Sequence, residues 1–273
     1  MNRPNFTALI LAGDRKQGDP VAGSAGVSGK SIVPVAGTPM IIRVIEAVET
    51  SSMADNILIC GPAESVIDDC PALREMIKQN RVAWLPPGNS PCSSAAYCLD
   101  HIDETSPVFL TTADHALLTA EIIRYFLEQS TVRNSDATVG LVDYEDIIKH
   151  YPDSRRTRLK FRNGSFCGCN LFTLSNSRGR SLISLWKQVE QNRKHPLKIL
   201  NRLLGTTNSI YYFLGKLTLN DALLSLACKY DVNADAVILP YPAAGVDVDT
   251  IADLQLAESI ISAANTTDIP TPL

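Results

Sequence analysis

No stretch of this chain is long and apolar enough to cross a bilayer. The apolar run Thr7–Leu11 falls far short of the roughly 20 residues that a spanning helix needs. It leads into Gly13 and Asp14 instead of a small-residue cleavage site, so neither a membrane span nor a targeting segment is expected. Paired cysteine motifs are missing as well. The seven cysteines (Cys60, Cys70, Cys92, Cys98, Cys167, Cys169, Cys228) are odd in number and show no C-x-x-C pair, which excludes a zinc ribbon or a disulfide scaffold and predicts reduced thiols in a cytoplasmic protein. Cys167-Gly168-Cys169 offers only two metal ligands, too few for a site. Nor is there an excess of positive charge: 25 Lys and Arg against 29 Asp and Glu give a net charge of −4. That balance excludes a protein whose main work is wrapping nucleic acid. Internal repeats, low-complexity tracts and linkers are also absent. With 273 residues, 45% of them hydrophobic and 20% charged, the chain can bury a sizeable core in one large domain or two small ones.

What is present is an alternation of β-rich runs with amphipathic stretches, the pattern of βαβ units. Thr7–Leu11, Asn56–Cys60, Arg81–Leu85, Val108–Thr112 and Ala137–Val142 are predicted strands. Met40–Glu49, Glu64–Gln79, Ser93–Ile102 and Thr119–Gln129 carry apolar residues at helical spacing, with Ser93 and Thr119 as N-caps. Past Val142 the pattern breaks. Arg158–Arg162 and Cys169–Leu174 flank Asn163-Gly164 as a hairpin. Helices over Ser181–Gln191, Pro196–Leu204 and Thr218–Lys229 come next, then a strand Ala236–Leu239 and a helix Thr250–Ala263, with Asn265–Leu273 as a frayed tail. The expected fold is α/β, a three-layer sandwich around a mainly parallel, Rossmann-like sheet.

The chemistry concentrates at the strand ends. Leu11-Ala12-Gly13-Asp14-Arg15 leaves the first strand into a loop of small residues that ends in Gly29-Lys30-Ser31. Such a loop offers backbone N–H groups to an anion where open α/β sheets bind ligands, and Arg15 and Lys30 add charge. A P-loop does not fit. Five residues instead of four separate Gly23 from Gly29, and Pro34 and Gly37 follow Lys30 too soon for a helix. A dinucleotide fingerprint fails because no G-x-G-x-x-G follows the strand. Asp114 stands where the strand Val108–Thr112 leaves the sheet, and Asp247-Val248-Asp249-Thr250 precedes the last helix. Two aspartates brought together by folding suffice for magnesium beside substrate phosphates. Asp249 also suits a turn or helix cap, with Thr250 as the rival cap.

Taken in order, Leu11-Ala12-Gly13 with Arg15, Lys30, Pro34-Val35-Ala36-Gly37-Thr38-Pro39-Met40, Thr112-Ala113-Asp114 and Asp247-Val248-Asp249-Thr250 with Asp253-Leu254 resemble a known family. It is that of the nucleotidyltransferases related to molybdenum cofactor guanylyltransferase and the sugar-nucleotide pyrophosphorylases. The match spans residues 7–143 and 236–263. It implies a nucleotide-diphospho-sugar-transferase (GT-A-like) sheet and a single nucleotidyltransferase domain, with its core in 1–143 and 236–264 and an inserted acceptor-side region at 144–235. It further implies Mg2+ held by Asp114 and Asp249, and triphosphate contacts from Leu11, Ala12, Gly13, Arg15 and Lys30. The base would be met by Pro87, Gly88, Asn89 and Ser93. Lys30, Arg15 and Asp114 would be catalytic. Asp14 departs from the family, which usually has a second glycine there, and the loop from Arg15 to Lys30 is longer than usual.

The implied reaction moves an NMP group from an NTP to a phosphorylated small molecule, expelling pyrophosphate. Positioning and charge neutralisation suffice for such chemistry, consistent with the lack of a Ser-His-Asp or Cys-His set. Arg155, Arg156, Arg158, Lys160 and Arg162 place five cations within eight positions. Arg158, Lys160 and Arg162 alternate and would share a strand face able to clamp an anionic acceptor, with Arg158 and Lys160 as the acceptor contacts, although a solvated face has the same pattern. Asn170, in Gly168-Cys169-Asn170-Leu171-Phe172, resembles the turn that faces the acceptor. His115 beside Asp114 reads as a packing residue. Two other readings remain open: a GT-A-type glycosyltransferase, for which Asp247-Val248-Asp249 supplies a D-x-D, and a nucleotide sensor without turnover, which Asp14 favours. The sequence does not fix the oligomeric state.

Overall fold

A computed structural model describes residues 6–14, 18–192 and 195–267. β1 (Phe6–Leu11) is buried along its whole length. Phe6, Ala8 and Ile10 pack into one core, Leu9 and Leu11 into another on the opposite face. Burial on both faces is why the strand is a continuous apolar run. Asp19 caps α1 (Pro20–Ala25) by accepting from the N–H groups of Val21 and Ala22. A 3-10 turn, Lys30–Ile32, then leads into a small ribbon, β2 (Pro34–Val35) and β3 (Thr38–Pro39), turned by Ala36 and Gly37 at positive φ. A P-loop would start an α-helix directly after its lysine; here a 3-10 turn and the ribbon separate Lys30 from the next α-helix. α2 (Met40–Ser51) buries Ile41, Val44, Ile45 and Val48, each stabilising by about 1.5–3 kcal/mol.

β4 (Ala54–Cys60) runs parallel to β1. The predicted helix Glu64–Gln79 is instead two, α3 (Glu64–Asp68) and α4 (Pro71–Lys78). Pro71 lacks the N–H that would continue α3, yet suits the first position of α4. β5 (Ala83–Leu85) and α5 (Pro91–Leu99) come next. The N-cap of α5 is Ser90, three residues before the Ser93 that the sequence predicts; Ser93 is the third helical residue and closes a reciprocal capping box with it. β6 (Val108–Thr112) pairs parallel with the other side of β1, and Thr119 caps α6 (Ala120–Arg133) as predicted.

β7 (Ala137–Asp143), α7 (Tyr144–His150), β8 (Leu159–Phe161) and β9 (Gly164–Leu174) follow. β8 and β9 form the expected hairpin. β9, however, lies antiparallel between β6 and β7, giving the order β10-β7-β9-β6-β1-β4-β5 with β10 (Ala234–Leu239) parallel to β7 at one edge. Residues 144–235 are therefore not an appendage to a finished core, because one of their strands fills the middle of the sheet. The helices α8 (Ser177–Gln191), α9 (Pro196–Phe213) and α10 (Leu219–Tyr230) precede β10. Gly205 at φ 77° interrupts α9 one residue beyond the predicted end at Leu204. A 3-10 turn, Pro242–Gly245, leads to α11 (Ile251–Thr267), which runs past its predicted end at Ala263; residues 268–273 of the tail lie outside the described residues. α2 and α6 share a core with one face of the sheet, α5 and α8 with the other. Three layers result.

Candidate active site

The parallel strands β1, β4 and β6 end in register: Leu11 pairs with Cys60 on one side and Thr112 on the other. Their outgoing loops therefore emerge together. Ala12 N–H donates to the Cys60 carbonyl at 2.8 Å and Ala113 N–H to the Leu11 carbonyl at 2.9 Å. Gly13, exposed, stands against the second loop: a Cβ there would lie 3.6 Å from Cβ of Pro87. Gly88 N–H donates to Ser94 Oγ at 2.9 Å. At Gly88 any side chain would meet Ser93 Oγ at 2.6 Å, so only glycine lets the Pro86–Asn89 loop lie this close to the start of α5. The loops that carry Gly13, Pro87, Gly88 and Ser93 thus meet at this end of the sheet, with Leu11 and Ala12 buried beneath them. Arg15 lies outside the described residues.

At the end of β6, Thr112 Oγ1 donates to Asp114 Oδ1 at 2.6 Å. Val248 N–H donates to the Asp114 carbonyl at 3.0 Å, bringing the chain before α11 to the same edge. Lys30 closes the group. Its Nζ lies 2.7 Å from Asp114 Oδ2 and 2.7 Å from Asp249 Oδ1. Burial opposes the charge on Lys30, but the two carboxylates outweigh it and hold its pKa above the usual lysine value. The Lys30 N–H donates to Asp14 Oδ1 at 2.6 Å. The acid that departs from the family pattern therefore fastens the backbone under Lys30. Burial raises the Asp14 pKa against the lowering effect of the Lys30 and Ser31 N–H groups.

Behind these residues is a contact the sequence did not point to. The Arg156 guanidinium, its side chain 6% exposed, bonds Asp247 with one nitrogen and Asp253 with the other. Burial raises the Asp247 pKa, and Asp114 and Asp249 push in the same direction. Asp253 Oδ2 also accepts from Thr250 N–H at 2.9 Å and Thr250 Oγ1 at 2.7 Å. Asp253 and Thr250 thereby build the first turn of α11 and present Asp249. Asn170, at φ 53° within β9, donates to Asp247 Oδ2 at 3.0 Å, so it does reach the acidic group. Arg158 turns elsewhere: it bonds Glu145 at 2.6 Å and Ser165 at 3.0 Å and covers the Tyr144 ring. Lys160 is exposed on β8, its N–H 3.4 Å from Tyr212 Oη. Among the described contacts, neither Arg158 nor Lys160 touches the aspartates. His115 is 1% exposed, and burial lowers its pKa to about 4 despite the Asp114 charge beside it. It is neutral at pH 7 and packs.

Among the described residues, no three His, Cys, Asp or Glu side chains form a metal cluster by themselves. Asp114 and Asp249, however, converge on a single cation, the Lys30 ammonium, and offer only oxygen donors. Such a pair fits a hard divalent ion whose remaining ligands are phosphate oxygens and water.

A family model described as the MobA-like NTP transferase domain matches residues 8–210. No curated protein matches the chain. Among solved structures it is similar to a hypothetical transferase from Thermus thermophilus, at 28% identity and TM-score 0.74 over 92% of this chain and 99% of that one. A CMP:2-keto-3-deoxy-manno-octonic acid synthetase complexed with CTP shares the fold at 10% identity, TM-score 0.59, over 95% of this chain and 99% of that one. So does a 4-diphosphocytidyl-2C-methyl-D-erythritol synthase from Anaerococcus prevotii, at 11% identity and TM-score 0.55 over 96% of this chain and 100% of that one.

Proposed function

This chain belongs to the family of MobA-like NTP transferases, and on that premise we propose that it moves an NMP group from a nucleoside triphosphate to a phosphorylated small molecule with release of pyrophosphate. The observation that carries the reading is the placement of Lys30 between Asp114 and Asp249 at the strand ends. An acceptor phosphate oxygen attacks the α-phosphorus, the bond from that phosphorus to the bridging oxygen breaks, and pyrophosphate leaves with the electron pair. Lys30 stabilises the charge that gathers on the leaving group, and Arg15 joins it from the same loop. Asp114 and Asp249 would hold Mg2+, whose contribution when bound is to neutralise triphosphate charge. Leu11, Ala12 and Gly13 position the triphosphate; Pro87, Gly88, Asn89 and Ser93 meet the base.

Residues 144–235 belong to the same single domain and supply the acceptor side. Asn170 is its best-supported member, through its bond to Asp247. Arg158 reaches the acceptor only by leaving Glu145 and Ser165, and Lys160 only from its exposed place on β8. A cytoplasmic setting goes with the reading. Asp14 accepts from the Lys30 N–H, a positioning role compatible with turnover. The test is pyrophosphate release from each common NTP with Mg2+ across a panel of phosphorylated acceptors. Release by the unaltered chain and its loss in Asp249→Asn support the reading. Hydrolysis of a nucleotide sugar without pyrophosphate would replace it with glycosyl transfer.

A further inference from the structure

Charge is divided very unevenly along this chain. Residues 155–229 hold 14 of the 25 Lys and Arg but only two of the 29 Asp and Glu, a net +12 within a chain of net −4. The remainder carries −16. Part of the positive charge is engaged inside the fold, Arg156 on Asp247 and Asp253 and Arg180 on the carbonyls of Ile102, Asp103 and Ser106. Lys160, Arg162, Lys198, Arg202 and Lys216 are exposed, and among the described residues none of them forms an ion pair.

The same region exposes apolar side chains. Six of the ten exposed large apolar residues among those described are Leu197, Ile210, Tyr211, Phe213, Leu214 and Leu224. Ile210 and Phe213 of α9 and Leu214, which caps it, are 53%, 59% and 60% exposed and, spaced i, i+3 and i+4 with the Leu214 N–H on the Ile210 carbonyl, share one face. Clusters of this kind on a monomer mark interaction surfaces. The helices and the basic hairpin form one unit. Arg162 N–H donates to the Leu217 carbonyl at 2.8 Å, and the Phe161 and Tyr212 rings meet edge to face at 5.6 Å.

We propose that α9 and α10, with the β8–β9 hairpin, form a docking surface for an anionic lipid bilayer, Phe213 and Leu214 entering the interfacial layer while Lys198, Arg202 and Lys216 meet the headgroups. Charge complementarity selects this occupant. A two-fold contact with a second copy would set the positive surface against itself. Nucleic acid would satisfy the cations, but the aliphatic side chains Leu197, Ile210, Leu214 and Leu224 gain nothing from a phosphate backbone. A bilayer bearing anionic headgroups uses both. The acidic remainder of the chain is repelled by the same surface, which fixes the orientation. No helix among the described residues is long and apolar enough to cross a membrane, so the contact is peripheral. The proposal does not depend on the reaction catalysed.

Sedimentation of the full chain with vesicles of phosphatidylcholine, with or without phosphatidylserine, tests it. Binding is expected only with phosphatidylserine and should weaken as salt rises. The double variant Phe213→Ser/Leu214→Ser should lower the partition coefficient about 100-fold, with circular dichroism and the thermal unfolding midpoint unchanged. Lys198→Glu/Lys216→Glu should lower it by about 100-fold as well. Absence of binding to either vesicle, or undiminished binding by both variants, overturns the proposal. So does a doubled mass in light scattering that the Phe213/Leu214 variant abolishes without any vesicle binding, which would identify a second copy. Binding of an oligonucleotide in preference to vesicles, retained by the Phe213/Leu214 variant, overturns it in favour of nucleic acid.

Discussion

Lys30 and Asp249 are 219 residues apart in sequence, yet the ammonium of one lies 2.7 Å from a carboxylate oxygen of the other. The same ammonium holds Asp114 at the same distance. Lys30 thereby keeps two carboxylates together that would otherwise repel. Removing the cation while keeping the stem, as in Lys30→Met, is expected to lower kcat/KM for the triphosphate by about 100- to 1,000-fold. Steady-state pyrophosphate release measures this. An unchanged kcat/KM would show that Lys30 only holds the aspartates.

Asp14 fastens the backbone beneath that lysine. Asp14→Ala should cost about 1 kcal/mol of stability, the usual value of a lost helix-terminus acceptor, and raise KM for the triphosphate. Urea denaturation together with initial rates checks both parts. Asp14→Asn retains an acceptor oxygen and should recover most of the stability.

Arg156 makes the larger structural contribution. Arg156→Ala leaves Asp247 and Asp253 without their buried partner and is expected to destabilise by about 3–5 kcal/mol. Arg156→Lys should recover only part, because an ammonium cannot bridge two carboxylates with a planar fork. Thermal unfolding of the two variants beside the parent orders them.

His115 gives a pH dependence of defined sign. Burial holds its pKa at about 4, against 6.5 in an unperturbed histidine. Between those values the unfolded chain takes up a proton that the folded chain does not, so stability is complete above pH 6.5 and falls as pH drops toward 4. The loss amounts to about 3 kcal/mol. Denaturant unfolding at neutral and acidic pH should show a difference of that size between the parent and His115→Gln, the variant losing less on acidification.

Much of this architecture is legible in the sequence because its elements are locally self-sufficient. β1, β6 and β7 stand out as apolar runs buried on both faces, and Asn163-Gly164 announces the hairpin. α1 and α7 escape notice because six or seven residues give too little periodicity. Within the site, Lys30, Asp114 and Asp249 are marked by their places in family-like motifs. Arg156 is not. It lies 91 and 97 residues from its two partners, and in the sequence it is one of five neighbouring cations with nothing local to separate the buried one from the exposed. Arg158 and Lys160 carry the same signal, yet the fold turns them away from the aspartates. Position along a chain reveals which residue types are present; only folding decides which of them meet.

The threading of β9 between β6 and β7 bears on how the molecule is made. As the chain leaves the ribosome, β7 finds neither of its two partners already synthesised, since one is β9 and the other β10. The β1-β4-β5-β6 half can assemble early, whereas β7 must wait with both hydrogen-bonding edges open until residue 174 has emerged to join the halves. Such non-local closure slows folding and prolongs the exposure of sticky strands. A chain stopped near residue 150 would therefore end as an aggregate and not as a smaller version of the same enzyme.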